Sequence, residues 1–311
     1  MLQTIVQQAP ESIEMLLERS HPHSANSLAG ELLSFDVDPE HDVYNPTSPF
    51  NHNGEELLAA RVEPRGSEQS TVQFFRPTNN ERTRWTPAED LPSLPLQDPF
   101  VVRIHEQWVV GGVFTYSGSG GHIYSWETHL YSGPSPAEIA LVAIGPKGMK
   151  DIRPIELPNG NIGVFTRPQG SEFGRGQVGY TEVSKISQID DSLMTAPIVS
   201  GFIDTEAGEW GGVNQAHALP DGRILALGHL ARFDAYDQKH YLPVTFNFDP
   251  SNFEVSRQQI PACRDCFPET PAKRPELSNV VFPGGLELLG SRAILYAGLN
   301  DTSAARTNIG V

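Results

Sequence analysis

Five times along the chain a short apolar run, a tight turn and a second apolar run follow one another. The second runs with their turns are HNGEELLAARVE, HEQWVVGGVFTY, PNGNIGVFTRP, PDGRILALGHLA and LGSRAILYAGL; the first runs begin YNPTSPF, QDPFVVRI, KDIRPIEL, VNQAHAL and SNVVFPGGLEL. Asn-Gly and Asp-Gly ahead of alternating or apolar segments are strong hairpin signals. The turns fall near residues 54, 106, 160, 222 and 290. That spacing of about 50–70 residues suits a four-stranded propeller blade or slightly more. A lone hairpin cannot bury both faces, whereas blades packed about an axis can, and closing the ring removes exposed sheet edges. Past the N-terminus no segment sustains a 3.6-residue period, which argues against an α/β fold. The pattern predicts an all-β fold: a five-bladed β-propeller over residues 28–311, preceded in 1–27 by a short helix at about 10–19 and a linker. A two-sheet sandwich is the competing architecture.

Hairpin pairing then places particular side chains at one level. About eight residues before each turn stand Asn45, Asp98, Asp151, Asn214 and, less cleanly, Asn279; about seven after the turn glycine stand Arg61, Arg167 and His229. In a propeller the inner strands line the axis, so these polar groups converge on one mouth. Their alternative role is as strand-end caps and turn formers, common work for Asn and Asp. Asp98 is followed by Pro99, which makes a rigid strand entry. A carboxyl held there among apolar neighbours has its pKa raised by desolvation and suits a general acid. Arg61, Glu63 and Arg65 alternate and share a strand face, as either a sugar-binding set or a salt bridge of Glu63 with Arg65. His217, His229, Arg232, Lys273, Arg274 and Arg167 supply positive charge for an anion.

Charge and composition narrow the field. The net charge of −16 and the lack of a Lys/Arg cluster exclude a nucleic-acid partner. No apolar run approaches the roughly 20 residues of a membrane span. The N-terminus lacks the basic start and apolar stretch of a secretory signal. These features point to the cytoplasm, with Cys263 and Cys266 as two reduced loop cysteines. His and carboxylates follow no metal signature, and no metal is expected. Of Trp108, Trp126 and Trp210, two are expected in the core, with sugar stacking the other fate. His21 and His23 read as a solvated linker. The glycines after Tyr116 read as a loop overhanging the pocket, since no lysine and helix follow to make a phosphate loop.

The blocks NPTSPFNHNGEELLAARVEPRGSE, LQDPFVVRI, KDIRPIELPNGNIGVFTRP, WGGVNQAHALPDGRILALGHLARFD and PAKRPELSNVVFPGG together resemble the five-bladed propeller mannosyltransferases and phosphorylases that act on β-1,2-mannosides. The resemblance runs from about residue 28 to the C-terminus. It implies a reversible, inverting reaction in which a β-mannoside and phosphate give α-mannose 1-phosphate, with a nucleotide-activated mannose as donor in some members. It implies Asp98 as the acid, acting directly or through a sugar hydroxyl. It implies Asn45, Arg61 and Glu63 around the mannosyl ring, with Asp151, Asn214 and Asn279 from the same row, and Arg167, His229, Lys273 and Arg274 around phosphate. The family pattern leads one to expect an acidic residue where this chain has Asn279. The partners implied are an oligosaccharide or sugar phosphate; inorganic phosphate is a co-substrate and no other cofactor is required. The alternatives are a glycoside hydrolase, which needs a second carboxylate as base, with Glu63 and Asp151 as candidates, and a non-catalytic carbohydrate-binding propeller.

Overall fold

The computed structural model describes residues 9–20, 30–118, 121–290 and 292–310. Helix α1 (Ile13–Ser20) opens the chain. The Ser12 carbonyl accepts from the Leu16 amide and the Ser12 hydroxyl from the Met15 amide at 3.4 Å, so Ser12 starts the helix. Ile13 and Leu16 are its buried face. The expected linker, with His21 and His23, lies outside the described residues, as do residues 119–120 of the glycine-rich loop.

Strands, with a few short 3₁₀ turns between them, dominate the rest. After β1 (Glu31–Phe35) comes a first antiparallel meander of β2 (His41–Tyr44), β3 (Phe50–His52), β4 (Glu55–Pro64), β5 (Thr71–Pro77) and β6 (Arg84–Pro87). The second holds β7 (Gln97–Ile104), β8 (Gln107–Ser117), β9 (Ile123–Gly133) and β10 (Ala140–Ile144). The third holds β11 (Arg153–Glu156), β12 (Ile162–Thr166) and β13 (Gly179–Val183). The fourth holds β14 (Trp210–Ala218), β15 (Ile224–Phe233), β16 (Lys239–Asp249) and β17 (Glu254–Gln259). The last holds β18 (Asn279–Leu289), β19 (Arg292–Leu299) and β20 (Ser303–Gly310), and β1 pairs antiparallel with β20 and, at Ser34 and Phe35, parallel with β6 of the first meander. The N-terminal strand thus completes the C-terminal meander, so the ends of the domain hold each other.

The core lies between meanders. Leu57, Ala59 and Phe74 of the first pack with Leu96 and Val110 of the second. Phe100 and Leu130 of the second meet Ile162 and Val164 of the third. Phe165, Leu227 and Leu295 join the third, fourth and last, together with α1. Tyr296 and Ala304 return to Leu58 and Phe75 of the first. Each meander therefore buries its faces on its neighbours. Trp108 and Trp210 are buried, while Trp126 is half-buried. Cys263 and Cys266 are buried on a 3₁₀ turn with their Sγ atoms 3.4 Å apart, too far for a disulfide.

Candidate functional site

Four of the five meanders break their pairing at one level of the innermost strand. Asn45 (φ 49°) follows the Tyr44–Arg61 pair; Asp98 (φ 50°) sits in a bulge between Gln97 and Phe100; Asn214 bulges between Val213 and Gln215, and Gly284 between Pro283 and Gly285. In the remaining one, Asp151 (φ 59°) stands just ahead of β11. Asn and Asp tolerate the left-handed region better than other residues with a side chain, and a bulge re-aims a side chain out of the pleat. The recurring Asn/Asp of the sequence is thus a row of bulges presenting polar groups at one end. Asn279 is not in that row. It begins β18 opposite His240, with their side chains 2.6 Å apart. Gly284 holds the fifth position, because a Cβ there would run into the Pro46 carbonyl.

Asp98 stands between the first and second meanders. Its Oδ1 accepts from Asn45 Nδ2 at 2.7 Å and pairs with Arg61 Nη1 at 3.2 Å. Among the described residues Oδ2 has no hydrogen-bond partner, and the side chain keeps 12 % of its surface exposed. The apolar surroundings expected from sequence are corrected: an amide and a guanidinium hold this carboxylate. Arg61 turns its other Nη to Glu63 at 2.7 Å, and Glu63 also accepts from Ser70 (2.5 Å), Tyr44 (3.1 Å) and Lys273. Burial opposes the charge on Glu63, but Arg61 and Lys273 outweigh it and hold its pKa below the ordinary carboxylate value. Arg65 does not join this set. It pairs with Asp42 at 3.3 Å on the surface, so the expected Glu63–Arg65 bridge is replaced by Glu63–Arg61.

The sequence reading missed Asp301. It lies in the β19–β20 turn, and burial raises its pKa while Arg61 and Lys273 work against that shift. Nothing in its local sequence separates it from an ordinary Asn-Asp turn. Lys273 and Arg274 lie on this same side, where Lys273 meets Glu63 and Glu68 and Arg274 meets Glu68 at 2.8 Å and Glu276 at 3.0 Å. Their charge is therefore already met by carboxylates, and they do not gather with Arg167.

Arg167 and His229 form the opposite wall with Asp151. Arg167 donates to the Gly211 carbonyl at 2.6 Å and the Arg175 carbonyl at 2.9 Å, and lies 3.5 Å from Asp151 Oδ2. Asp151 is 2 % exposed; burial disfavours its charge, yet Arg167, Lys150 and the rest of the wall hold its pKa below normal. Gly212 makes this packing possible, since a Cβ there would lie 2.9 Å from Arg167 Cδ and 3.1 Å from Asp151 Oδ2. Beside this wall opens a cavity of about 550 Å³ lined by Lys150, Arg167, Arg175 and Lys239, with Trp126 and Tyr241 among its aromatic walls and no Asp or Glu in its lining. Four cationic residues thus line one space whose lining holds no carboxylate. A roomier cavity of about 940 Å³ lies elsewhere, between α1 and β17, away from these groups.

His229 is not one of the cations. It is 1 % exposed, and burial pushes its pKa down to about 3, against the pull of Asp151. Its neutral ring shares a 2.8 Å hydrogen bond with Asn214 and stacks 5.4 Å from Tyr241. The expectation of a positive His229 is therefore corrected to a hydrogen-bonding ring. Between pH ~6.5 and ~3 the unfolded chain takes up a proton that folded His229 refuses. Stability present above pH ~6.5 is then lost as the pH falls, by about 2 kcal/mol at pH 5 from this group. His229→Gln should remove that part of the slope. Urea unfolding at pH 7 and pH 5 checks it, and an equal pH dependence in both proteins would count against a buried neutral ring.

The chain matches the family model described as "Protein of unknown function (DUF1861)" over residues 21–310. No curated protein matches it. Among solved structures it is similar to a mannose phosphorylase from Leishmania mexicana in complex with phosphate ion, at 29% identity and TM-score 0.84 over 94% of this chain and 92% of that one. It is similar to a GDP-Man-dependent mannosyltransferase from the same organism, at 28% identity and TM-score 0.84 over 96% of this chain and 94% of that one. The β-1,2-mannobiose phosphorylase from Listeria innocua shares the fold, at 15% identity and TM-score 0.63 over 88% of this chain and 92% of that one. The resemblance seen in the sequence blocks is borne out at the level of these structures.

Proposed function

The chain belongs to the DUF1861 family, and we propose that it is an inverting β-mannoside phosphorylase or mannosyltransferase, with its five meanders as the blades of a propeller and its reaction at their shared mouth. Asp98 is the general acid and inorganic phosphate the nucleophile. One observation carries the reading: a carboxylate fixed through Oδ1 by Asn45 and Arg61, with Oδ2 left unbonded, stands at the same end as a cavity lined by four cations.

In the forward direction the bond from C1 of the mannosyl group to the glycosidic oxygen breaks, and its electron pair leaves with the oxygen. That oxygen takes the proton from Asp98, directly or through a sugar hydroxyl. A phosphate oxygen bonds to C1 from the opposite face and gives α-mannose 1-phosphate. Run backwards, the same groups join mannose to an acceptor. Asn45, Arg61 and Asp301 surround the mannosyl ring, with Glu63 behind them holding Arg61 in place; Lys150, Arg167 and Arg175 hold the phosphate, and neutral His229, which donates its Nδ1–H to Asn214, braces that wall from behind.

The neighbouring carboxylates favour this over hydrolysis. An inverting hydrolase needs a base that holds a water about 6.5–9.5 Å from the acid. Glu63 is occupied by Arg61, Ser70, Tyr44 and Lys273, and Asp151 is enclosed beside Arg167. Neither is open to a water, whereas phosphate arrives already anionic and needs no base. Incubation with β-1,2-mannobiose, with and without phosphate, tests the proposal. Mannose 1-phosphate that depends on phosphate is the expected product. Free mannose without phosphate would move the case to a hydrolase. No product in either direction, including from mannose 1-phosphate or a nucleotide-activated mannose, would leave a sugar-binding protein.

A further inference from the structure

We propose that Arg153 is a positioning residue whose guanidinium ties three consecutive meanders together at the bulge row and thereby sets where Asp98 and Asp151 stand. Arg153 opens β11 and is 2 % exposed. Its Nε donates to the Asn214 carbonyl at 2.8 Å, its Nη1 to the Ile152 carbonyl at 3.1 Å, and its Nη2 to the Asp98 carbonyl at 3.5 Å. Those carbonyls belong to the fourth, third and second meanders. Two are those of bulge residues, and the third adjoins Asp151. The group also lies 3.8 Å from Asp151 Oδ1 and 4.6 Å over the ring of Phe100.

The chemistry requires such a tie. Asp98 and Asp151 hold the left-handed backbone, an uphill conformation that persists only where the surroundings impose it. A bulge withdraws backbone groups from the ladder, and a buried carbonyl left without a donor is costly. A guanidinium presents five N–H groups in one plane, so a single side chain can satisfy carbonyls on three sheets at once. A lysine, with one nitrogen on a flexible stem, cannot span them. Burial lowers the pKa of Arg153, while Asp151 and Asp98 support its charge. The two carboxylates thus support the cation in the interior, and it in turn holds the Asp98 carbonyl and the Ile152 carbonyl next to Asp151.

Arg153 also faces a second space. A cavity of about 340 Å³ is lined by Arg153 with Phe50, Phe100, Trp108, Asn214 and Leu286 among others, drawn from all five meanders. Removing the side chain leaves a guanidinium-shaped gap beside that cavity, so free guanidinium ion has a place to enter.

The activity half of this inference rests on the function proposed above; the backbone half does not. In Arg153→Ala, kcat for mannose 1-phosphate formation should fall on the order of 10²-fold, the scale of a misplaced reacting group. KM for mannobiose should change far less. Guanidinium chloride, well below denaturing concentrations, should restore turnover, and equal sodium chloride or urea should not. Arg153→Lys, which keeps the charge and loses the fork, should remain slow. In both variants amide hydrogen exchange should rise together at residues 97–100, 151–154 and 212–216, with the middles of β8 and β15 still protected. If the alanine variant does not fold, the lysine variant carries the kinetic and exchange readouts. Unchanged turnover, loss without rescue by guanidinium, or exchange that stays at wild-type level at the three bulges would overturn the assignment. A wild-type protein with no mannosyl activity would instead sink the functional reading, and the exchange comparison would still decide the tie.

Discussion

Replacing Asp98 with Asn is expected to cut phosphorolysis of β-1,2-mannobiose by roughly 10³-fold, within the range of a lost general acid, while leaving substrate binding nearly intact. The change is close to isosteric. Asn shares the tolerance of Asp for the left-handed backbone that residue 98 adopts at φ 50°. Its amide oxygen can still accept from Asn45 and Arg61, which hold Oδ1 at 2.7 and 3.2 Å. Only the acidic proton at Oδ2 is gone. The loss should therefore appear in kcat, with KM close to wild type. A mannoside whose leaving group is already a good one, such as a dinitrophenolate, needs no proton and should react with the variant far better than mannobiose does. An Asp98→Asn protein that splits mannobiose at the wild-type rate would remove Asp98 from the acid role. Equal losses on both substrates would mean that the carboxylate holds the sugar and does not protonate it.

How much of this was legible in the sequence depends on the distance over which each signal acts. The hairpins are local, so turn glycines and alternating apolar positions mark them. The bulge row is local too: a left-handed position selects Asn or Asp, and Asn45, Asp98 and Asp151 record it, while Asn214 marks a bulge without that backbone. The row fails as a signal where a close approach, not a left-handed backbone, selects glycine. At Gly284 the approach of the Pro46 carbonyl excludes any Cβ, and Asn279 is the nearest residue of the expected type. Charge pairing is not local. Lys273 neutralises Glu63 across 210 positions, so a lysine that reads as an anion holder is a partner of carboxylates. Asp301 reaches the site from the turn between the last two strands, outside the hairpin register. Arg153 lies in KDIRPIEL in plain view, but its role depends on carbonyls of two other meanders.

The second large effect is expected at Arg61. Its side chain is 7 % exposed, with Glu63 at 2.7 Å, Asp98 at 3.2 Å and the face of Tyr44 at 4.8 Å. Asp301 belongs to the same group, for Arg61 is the foremost charge opposing the rise in its pKa. Arg61→Met keeps the length and apolar stem but withdraws the charge. Breaking a buried pair by removing one partner costs about 3–5 kcal/mol, because the other charge stays buried and unmatched. That is a large part of the roughly 5–15 kcal/mol that holds a domain together. The pH dependence identifies the cause. In the wild type Glu63 has a lowered pKa, with Arg61 the leading favourable charge against the burial that opposes it. Its contribution is therefore complete above the ordinary carboxylate pKa and is lost as the pH falls through the folded value. In the variant that contribution is gone at every pH. The stability gap between the two proteins should accordingly be at its full size near pH 7 and narrow only below the ordinary carboxylate pKa, toward pH ~3, as measured by urea unfolding at pH 7 and pH ~3. A gap of the same size at both pH values would mean that Arg61 acts through packing on Tyr44. No gap at pH 7 would mean that water screens these carboxylates, and the mouth would then lack the dry, charge-balanced wall on which the placement of Asp98 depends.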